Sequence, residues 1–353
     1  MSSSGQRMSR HSRHHRRRSH RSRRRRKLLL AYAAVILIAV GAGGTFLLRS
    51  YREQSAQRIT AGNSQDMKSG YRNLTWNGRE YQYNSLITTV LYAGIDSRGK
   101  MEASAQYSNK ARADSIALVI LDRKNEKMSI LALNRDTMTE VRRYTREGTD
   151  LGLYNTHLGY AYSYGDGGAV SCENLQEAVE NLLGIPIDEY VVTNQDSMPY
   201  INDLAGGVTV IVPNDDLADQ YPELREGAEV TLDDTNVTAY LQYRDTEEDF
   251  SNEGRIERQE AYINAYVPLI RERIQSDLNG VWQELQNMED YLQTSITRNK
   301  YLQLASILEA VTFSEEDYYR PSGQDQAGEL HDEFYVDEEA LREMVIRLFY
   351  EEI

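Results

Sequence analysis

An α/β fold, layered α-β-α with a central mixed sheet flanked by helices, is what this chain predicts, on three observations. Residues 86–95, 115–121 and 128–133 are apolar and rich in β-branched side chains, the signature of buried strands. From residue 171 to 212, helix-period segments alternate with strand-period ones, which argues for helices packed on a sheet. Roughly 270 residues follow the polar N-terminal part, enough to enclose one sizeable core.

The N-terminal part divides in three. Residues 1–27 form a basic tail with eleven Arg, one Lys, four of the six His and no acidic residue. Residues 28–48 are 21 positions without a charge, long enough for a transmembrane helix at 1.5 Å per residue. The basic flank puts the tail in the cytoplasm and the rest of the chain outside a cell membrane, as a single-pass protein. A cleaved signal peptide is the competing reading, because Gly41-Ala42-Gly43-Gly44 offers small residues. The length of the basic and apolar regions favours an uncleaved signal-anchor. Residues 49–80 are polar and read as an extracytoplasmic stalk.

Charge separates these regions further. The whole chain carries −14, and setting aside the tail's +12 leaves −26 on residues 28–353. So acidic a domain lacks the basic surface that phosphate neutralisation demands, and no nucleic acid is expected as partner. Attraction to anionic lipid explains the tail. The single cysteine, Cys172, excludes an intramolecular disulfide, and no histidine partner for a nucleophile is evident, so a small packed residue is expected there.

Residues 81–275 read as a globular domain. Its second and third strands are joined by the polar turn 122–127, of hairpin length. Residues 171–183 read as an amphipathic helix with Leu175, Val179, Leu182 and Leu183 on one face, Ser171 as N-cap and Gly184 as stop. A strand at 190–193, a short helix at 198–204 and a strand at 208–212 follow. Asp233 or Asp234 can cap a helix through 237–241, and a longer one begins near Arg255, with Pro268 expected to kink or break it. Residues 276–353 read as a C-terminal helical extension packed on the domain, ending in an amphipathic helix at 337–350.

Charged residues gather at the ends of the apolar strands. These are Asp96/Arg98, Arg112/Asp114 and Arg135/Asp136, joined by a later group containing Arg244, Asp245, Asp249, Arg255, Arg258 and Gln259. Each pair alone suits a structural ion pair. Four groups at the rims of one sheet instead suggest a polyanion site, because arginine presents a planar fork to phosphate and aspartates beside it suit a hard cation. His157, in an expected loop beside tyrosines, reads as a hydrogen-bonded structural residue.

The ordered series Gly94-Ile95-Asp96-Ser97-Arg98, Ala111-Arg112-Ala113-Asp114-Ser115, Asn134-Arg135-Asp136-Thr137, 155–162, Leu204-Ala205-Gly206-Gly207-Val208 and Tyr243-Arg244-Asp245 through Gln259 resembles the LytR–CpsA–Psr family. The resemblance covers residues 86–259 and implies a Mg²⁺-dependent phosphotransferase of cell wall assembly. Such an enzyme moves a glycopolymer from a polyprenyl-pyrophosphate carrier to peptidoglycan, forming a phosphodiester. It implies Asp96 and Asp114 as metal ligands, Arg135, Arg244 and Arg255 as pyrophosphate-binding residues, and Arg98 and Arg258 as support, either as further pyrophosphate-binding residues or by fixing the carboxylates. Arg135, Arg244 and Arg255 are then catalytic, with Asp249 or Glu253 as general base. Where the family often has Arg-x-Arg, this chain has Gln242-Tyr243-Arg244. A polyprenyl-pyrophosphate pyrophosphatase and an inactive lipid-binding envelope regulator are the alternatives.

Overall fold

The computed structural model describes residues 73–107, 110–243, 252–328 and 332–353. The basic tail, the apolar segment 28–48 and the stalk as far as residue 72 lie outside them. Among the described residues no helix is long and apolar enough to cross a membrane.

A hairpin of β1 (Asn73–Trp76) and β2 (Arg79–Tyr83) leads into β3 (Ile87–Ile95), β4 (Ala113–Asp122) and β5 (Lys127–Leu133). The last three match the predicted strands within two residues at each end. Their apolar runs are continuous because both faces of the sheet are covered. Alternate side chains enter two cores. Val90, Val119 and Ile130 face one, with Tyr262, Tyr266, Trp282 and Leu304. Leu91, Leu118 and Leu131 face the other, with Leu175, Val179, Leu341 and Phe349.

A two-stranded ribbon follows, β6 (Met138–Tyr144) paired with β7 (Asp150–His157). It is held down by Arg142, whose Nε and Nη2 donate to Glu177 at 2.8 and 2.6 Å while Nη1 donates to Asp150 at 2.7 Å. Helix α1 (Ala169–Leu183) starts two residues before the predicted Ser171 cap. Gly168 is the cap residue, without a side-chain cap; Asp166 Oδ1 accepts from the Gly168 N–H at 2.7 Å, and Ser171 Oγ accepts from the Gly167 N–H. Gly184, at φ +66°, ends the helix as expected, since the left-handed conformation favours glycine. Cys172 is buried, its thiol pushed up by that burial and donating to Gln293 Oε1, so it is a packed residue.

Strand β8 (Glu189–Thr193), α2 (Met198–Leu204), β9 (Val208–Ile211) and β10 (Glu229–Leu232) continue the chain. Helices α3 (Val237–Gln242) and α4 (Asn252–Ser276) come next, and α4 runs through Pro268 without a break. Beyond α5 (Leu278–Gln286) the structure departs from expectation. Residues 276–353 are not a helical extension on a finished domain. They include β11 (Leu292–Thr294), α6 (Arg298–Ala310), β12 (Tyr318–Tyr319), the hairpin β13 (Gly323–Ala327) and β14 (Asp332–Val336), α7 (Glu338–Phe349) and β15 (Tyr350–Glu352). The central sheet runs β11-β8-β3-β4-β5-β12, so this segment supplies both outer strands. β11 pairs antiparallel with β8 and β12 parallel with β5, while β15 closes on β2. The sheet is mixed, as predicted, and helices cover both faces.

Candidate functional site

Sheet register explains why the charged residues meet. β3 and β4 are antiparallel, as are β4 and β5, so the C-terminal ends of β3 and β5 flank the N-terminal end of β4. Asp96, Asp114 and Arg135 therefore share one edge of the sheet. A bulge aims Asp114 outward: Ile95 pairs with Ala113 and Gly94 with Ser115, leaving Asp114 without a partner in the ladder. A side chain at Gly94 would lie 2.7 Å from Ser115 Oγ, so glycine permits the close approach there.

Arg135 is salt-bridged to Asp114, and its Nε lies 3.6 Å from Asp136 Oδ1. Partial burial works against its charge, but the carboxylates of Asp114, Asp136 and Asp96 outweigh that and hold the guanidinium above its ordinary value. With its side chain 48% exposed, it remains accessible to a ligand. Asp96 Oδ1 accepts from the Arg112 N–H at 2.6 Å. The turn after β7 packs on this edge, with the Gly159 N–H donating to Arg135 O at 2.8 Å. A Cβ at Gly159 would sit 2.9 Å from Ala113 O, so a larger residue would push the turn away.

These elements enclose a cavity of about 170 Å³ lined by Arg112, Ala113, Arg135, Asp136, His157, Gly159, Tyr160 and Asp332. Two guanidiniums in a cavity of this size suit a diphosphate. His157 is the last residue of β7 rather than part of a loop. Its Nε2 lies 3.1 Å from Asp332 O and its ring meets Tyr160 edge-on at 5.2 Å. Asp332 was missed from sequence because it lies almost 200 residues beyond Arg135, on a hairpin with no apolar pattern.

Asp96 and Asp114 fit a hard cation by donor chemistry. Among the described residues the second oxygen of each carries no hydrogen bond, and Mg²⁺ commonly takes one or two carboxylates together with phosphate oxygens. No cluster of three or more metal-ligating side chains occurs among the described residues, so phosphate and water oxygens would complete the shell.

The later residues divide. Arg244 and Asp249 lie outside the described residues, as does the side chain of Glu253. Arg255 is half-buried near the start of α4. Arg98 donates to Asp196 Oδ1 at 3.2 Å and to Gln242 Oε1 at 3.3 Å. The residue standing in place of the family's first arginine thus holds Arg98 through its carbonyl oxygen.

Arg258 corrects an expectation. It is fully buried, and its nitrogens donate to Tyr240 O (2.9 Å), Tyr243 O (2.6 Å), Asn214 Oδ1 (2.9 Å) and Asp216 Oδ2 (2.5 Å). Nε and Nη2 serve the end of α3 while Nη1 ties it to the segment after β9, so this guanidinium braces the segment leading to Arg244 and is not a pyrophosphate ligand.

The sequence model of the LytR_cpsA_psr family matches residues 47–347. The chain is 28% identical over 308 residues to the polyisoprenyl-teichoic acid–peptidoglycan teichoic acid transferase TagV of Bacillus subtilis (strain 168), covering 84% of this chain and 70% of that protein. It is 30% identical over 182 residues to the corresponding transferase TagU of Halalkalibacterium halodurans, covering 51% of this chain and 52% of the relative. The crystal structure of B. subtilis TagV superposes with a TM-score of 0.50 at 26% identity, over 74% of this chain and 96% of that one.

Proposed function

This chain belongs to the LytR_cpsA_psr family, and we propose that it transfers a glycopolymer from a polyprenyl-pyrophosphate carrier to a hydroxyl of peptidoglycan. The observation that carries this reading is Arg135, held at the mouth of three strands by Asp114 and opening with Arg112 into a cavity of diphosphate size. The transferase names of the relatives support it.

In this reading the acceptor oxygen attacks the phosphorus that bears the polymer, the bond to the bridging oxygen breaks, and polyprenyl phosphate leaves. Such a transition state spreads charge over phosphoryl oxygens, so positioning and neutralisation do most of the catalysis. Arg135 and Arg112 donate to the diphosphate from the sheet edge, with Arg244 and Arg255 as further donors. Mg²⁺ held by Asp96 and Asp114 would neutralise pyrophosphate oxygens. Asp249 accepts the acceptor's proton as general base. Asp114 and Asp136 orient Arg135, and Arg98 stands at the β8 side of the same edge through Asp196.

Residues 28–48 act as a single-pass anchor that holds the domain on the outer membrane face, where a lipid-linked donor is found. Incubation of the full chain in detergent with lipid-linked glycopolymer and peptidoglycan tests the function. A covalent polymer–peptidoglycan conjugate with release of polyprenyl phosphate is expected. Free phosphorylated polymer without conjugate would instead identify a pyrophosphatase, and no turnover at all would favour a lipid-binding regulator.

A further inference from the structure

Five side chains, in the order Arg-Tyr-Tyr-Arg-Tyr, form a chain of ring and guanidinium contacts that runs from the cavity onto the β6–β7 ribbon. The Arg112 guanidinium lies 4.8 Å over the Tyr160 ring, and Tyr160 is 6.4 Å from Tyr164. The Arg143 guanidinium is then enclosed between two rings, 5.1 Å from Tyr164 and 5.0 Å from Tyr154. Arg112 and Tyr160 also line the cavity beside Arg135, so the inner end of the stack is the candidate active site itself. Its far end is open: Tyr154 is 44% exposed, and Leu151 and Leu153 on the same strand are 47% and 40% exposed.

Charge distinguishes this stack from ordinary surface packing. Among the described residues, neither Arg112 nor Arg143 makes an ion pair, although Arg142, the adjacent residue, is saturated by Glu177 and Asp150. A guanidinium stacked by its face on a tyrosine keeps its N–H edge for an oxygen ligand. Tyrosine rings present flat apolar faces with a polar rim, which suit the C–H face of a sugar or polyol unit. Guanidiniums interspersed with rings therefore suit a polymer that carries both phosphate and carbohydrate units. A neutral glycan strand would leave both guanidiniums without a counter-charge.

We propose that Arg112, Tyr160, Tyr164, Arg143 and Tyr154 form a track for the phosphate-bearing chain of the donor glycopolymer, leading outward from the pyrophosphate cavity. The proposal rests on the transferase reading for its direction, since the cavity end holds the linkage and the ribbon end the distal repeats. It makes the β6–β7 ribbon a determinant of donor length and charge.

Two donors test it with the full chain in detergent: a polyprenyl pyrophosphate bearing only an uncharged disaccharide, and the same disaccharide extended by glycerol phosphate units. Arg143→Ala and Tyr154→Ala are each expected to raise KM for the extended donor roughly fivefold to tenfold. The kcat and the KM for the short donor stay unchanged. Arg143→Lys, which keeps the charge and loses the planar stack, restores only part of the loss. Titration of lipid-free poly(glycerol phosphate) into the same proteins gives a second readout. Binding is expected to weaken in both alanine variants and with rising salt.

Equal effects on both donors, or no effect on either the extended donor or the free polymer, would overturn the track. Binding lost for peptidoglycan fragments instead of poly(glycerol phosphate) would overturn it as well. If the free polymer binds through Arg143 but neither donor is transferred, the track stands and the transferase reading fails. Transfer of the short donor without any polymer binding refutes the track and leaves the transferase reading in place. An unchanged melting temperature in Arg143→Gln separates these outcomes from misfolding.

Discussion

Arg135 and Arg258 come from the same sequence pattern of arginines near aspartates, and the structure gives them opposite surroundings. Arg135 is half-exposed at a strand end, with three carboxylates around it and a cavity in front. Arg258 is enclosed, each nitrogen engaged by protein oxygens. Arg135→Ala is therefore expected to reduce transfer at least about 100-fold, the usual scale for removing one transition-state donor, with little change in melting temperature. Arg258→Met should cost about 3 kcal/mol of stability, because it strands Asp216 and two helix-end carbonyls. Activity assays paired with thermal melts check both. The position of Arg135 at a strand end was legible because a charge that ends an apolar run must leave the core. Sequence could not separate Arg258, since burial of an arginine depends on Asn214 and Asp216, more than forty residues away.

Among the elements, the strands that carry Asp96, Asp114 and Arg135 were legible because burial on both faces makes their apolar runs continuous. The bulge that re-aims Asp114 was not, since a one-residue register shift leaves no trace in composition. Nor was the β6–β7 ribbon, whose second strand is largely exposed and so lacks alternation. Helix α1 was legible in its apolar face and its glycine stop. Its interior also stores a pH dependence. Burial raises the carboxyl of Glu180, which accepts from the Ile187 N–H at 2.8 Å, and burial likewise raises Asp166 at the helix start. With folded values above the unfolded ones, neither group affects stability while both states are protonated. Stability falls as pH rises above the ordinary carboxylate range, because the unfolded chain ionises first. Glu180→Gln should flatten part of that loss, as measured by melts across the acidic range.

For the whole molecule, the boundary near residue 275 is where sequence and structure differ most. Strands of two and three residues, such as β12 and β11, carry no periodicity, and their place is set by long-range pairing with β5 and β8. A chain ending at residue 275 would lose both outer strands, α7 from one core, and Trp282 and Leu304 from the other. Exposed sheet edges favour aggregation, so that truncation should be insoluble, whereas full-length protein gives a cooperative melt. Completing the sheet with the C-terminal segment also brings Asp332 to the cavity lined by Arg135. A density map of the protein with a polyprenyl pyrophosphate and Mg²⁺ decides whether this sheet edge is the reaction centre. The diphosphate should lie within hydrogen-bond distance of the Arg135 guanidinium, with the cation on Asp96 and Asp114. A diphosphate bound elsewhere, with the Arg135–Asp114 pair untouched, would contradict it.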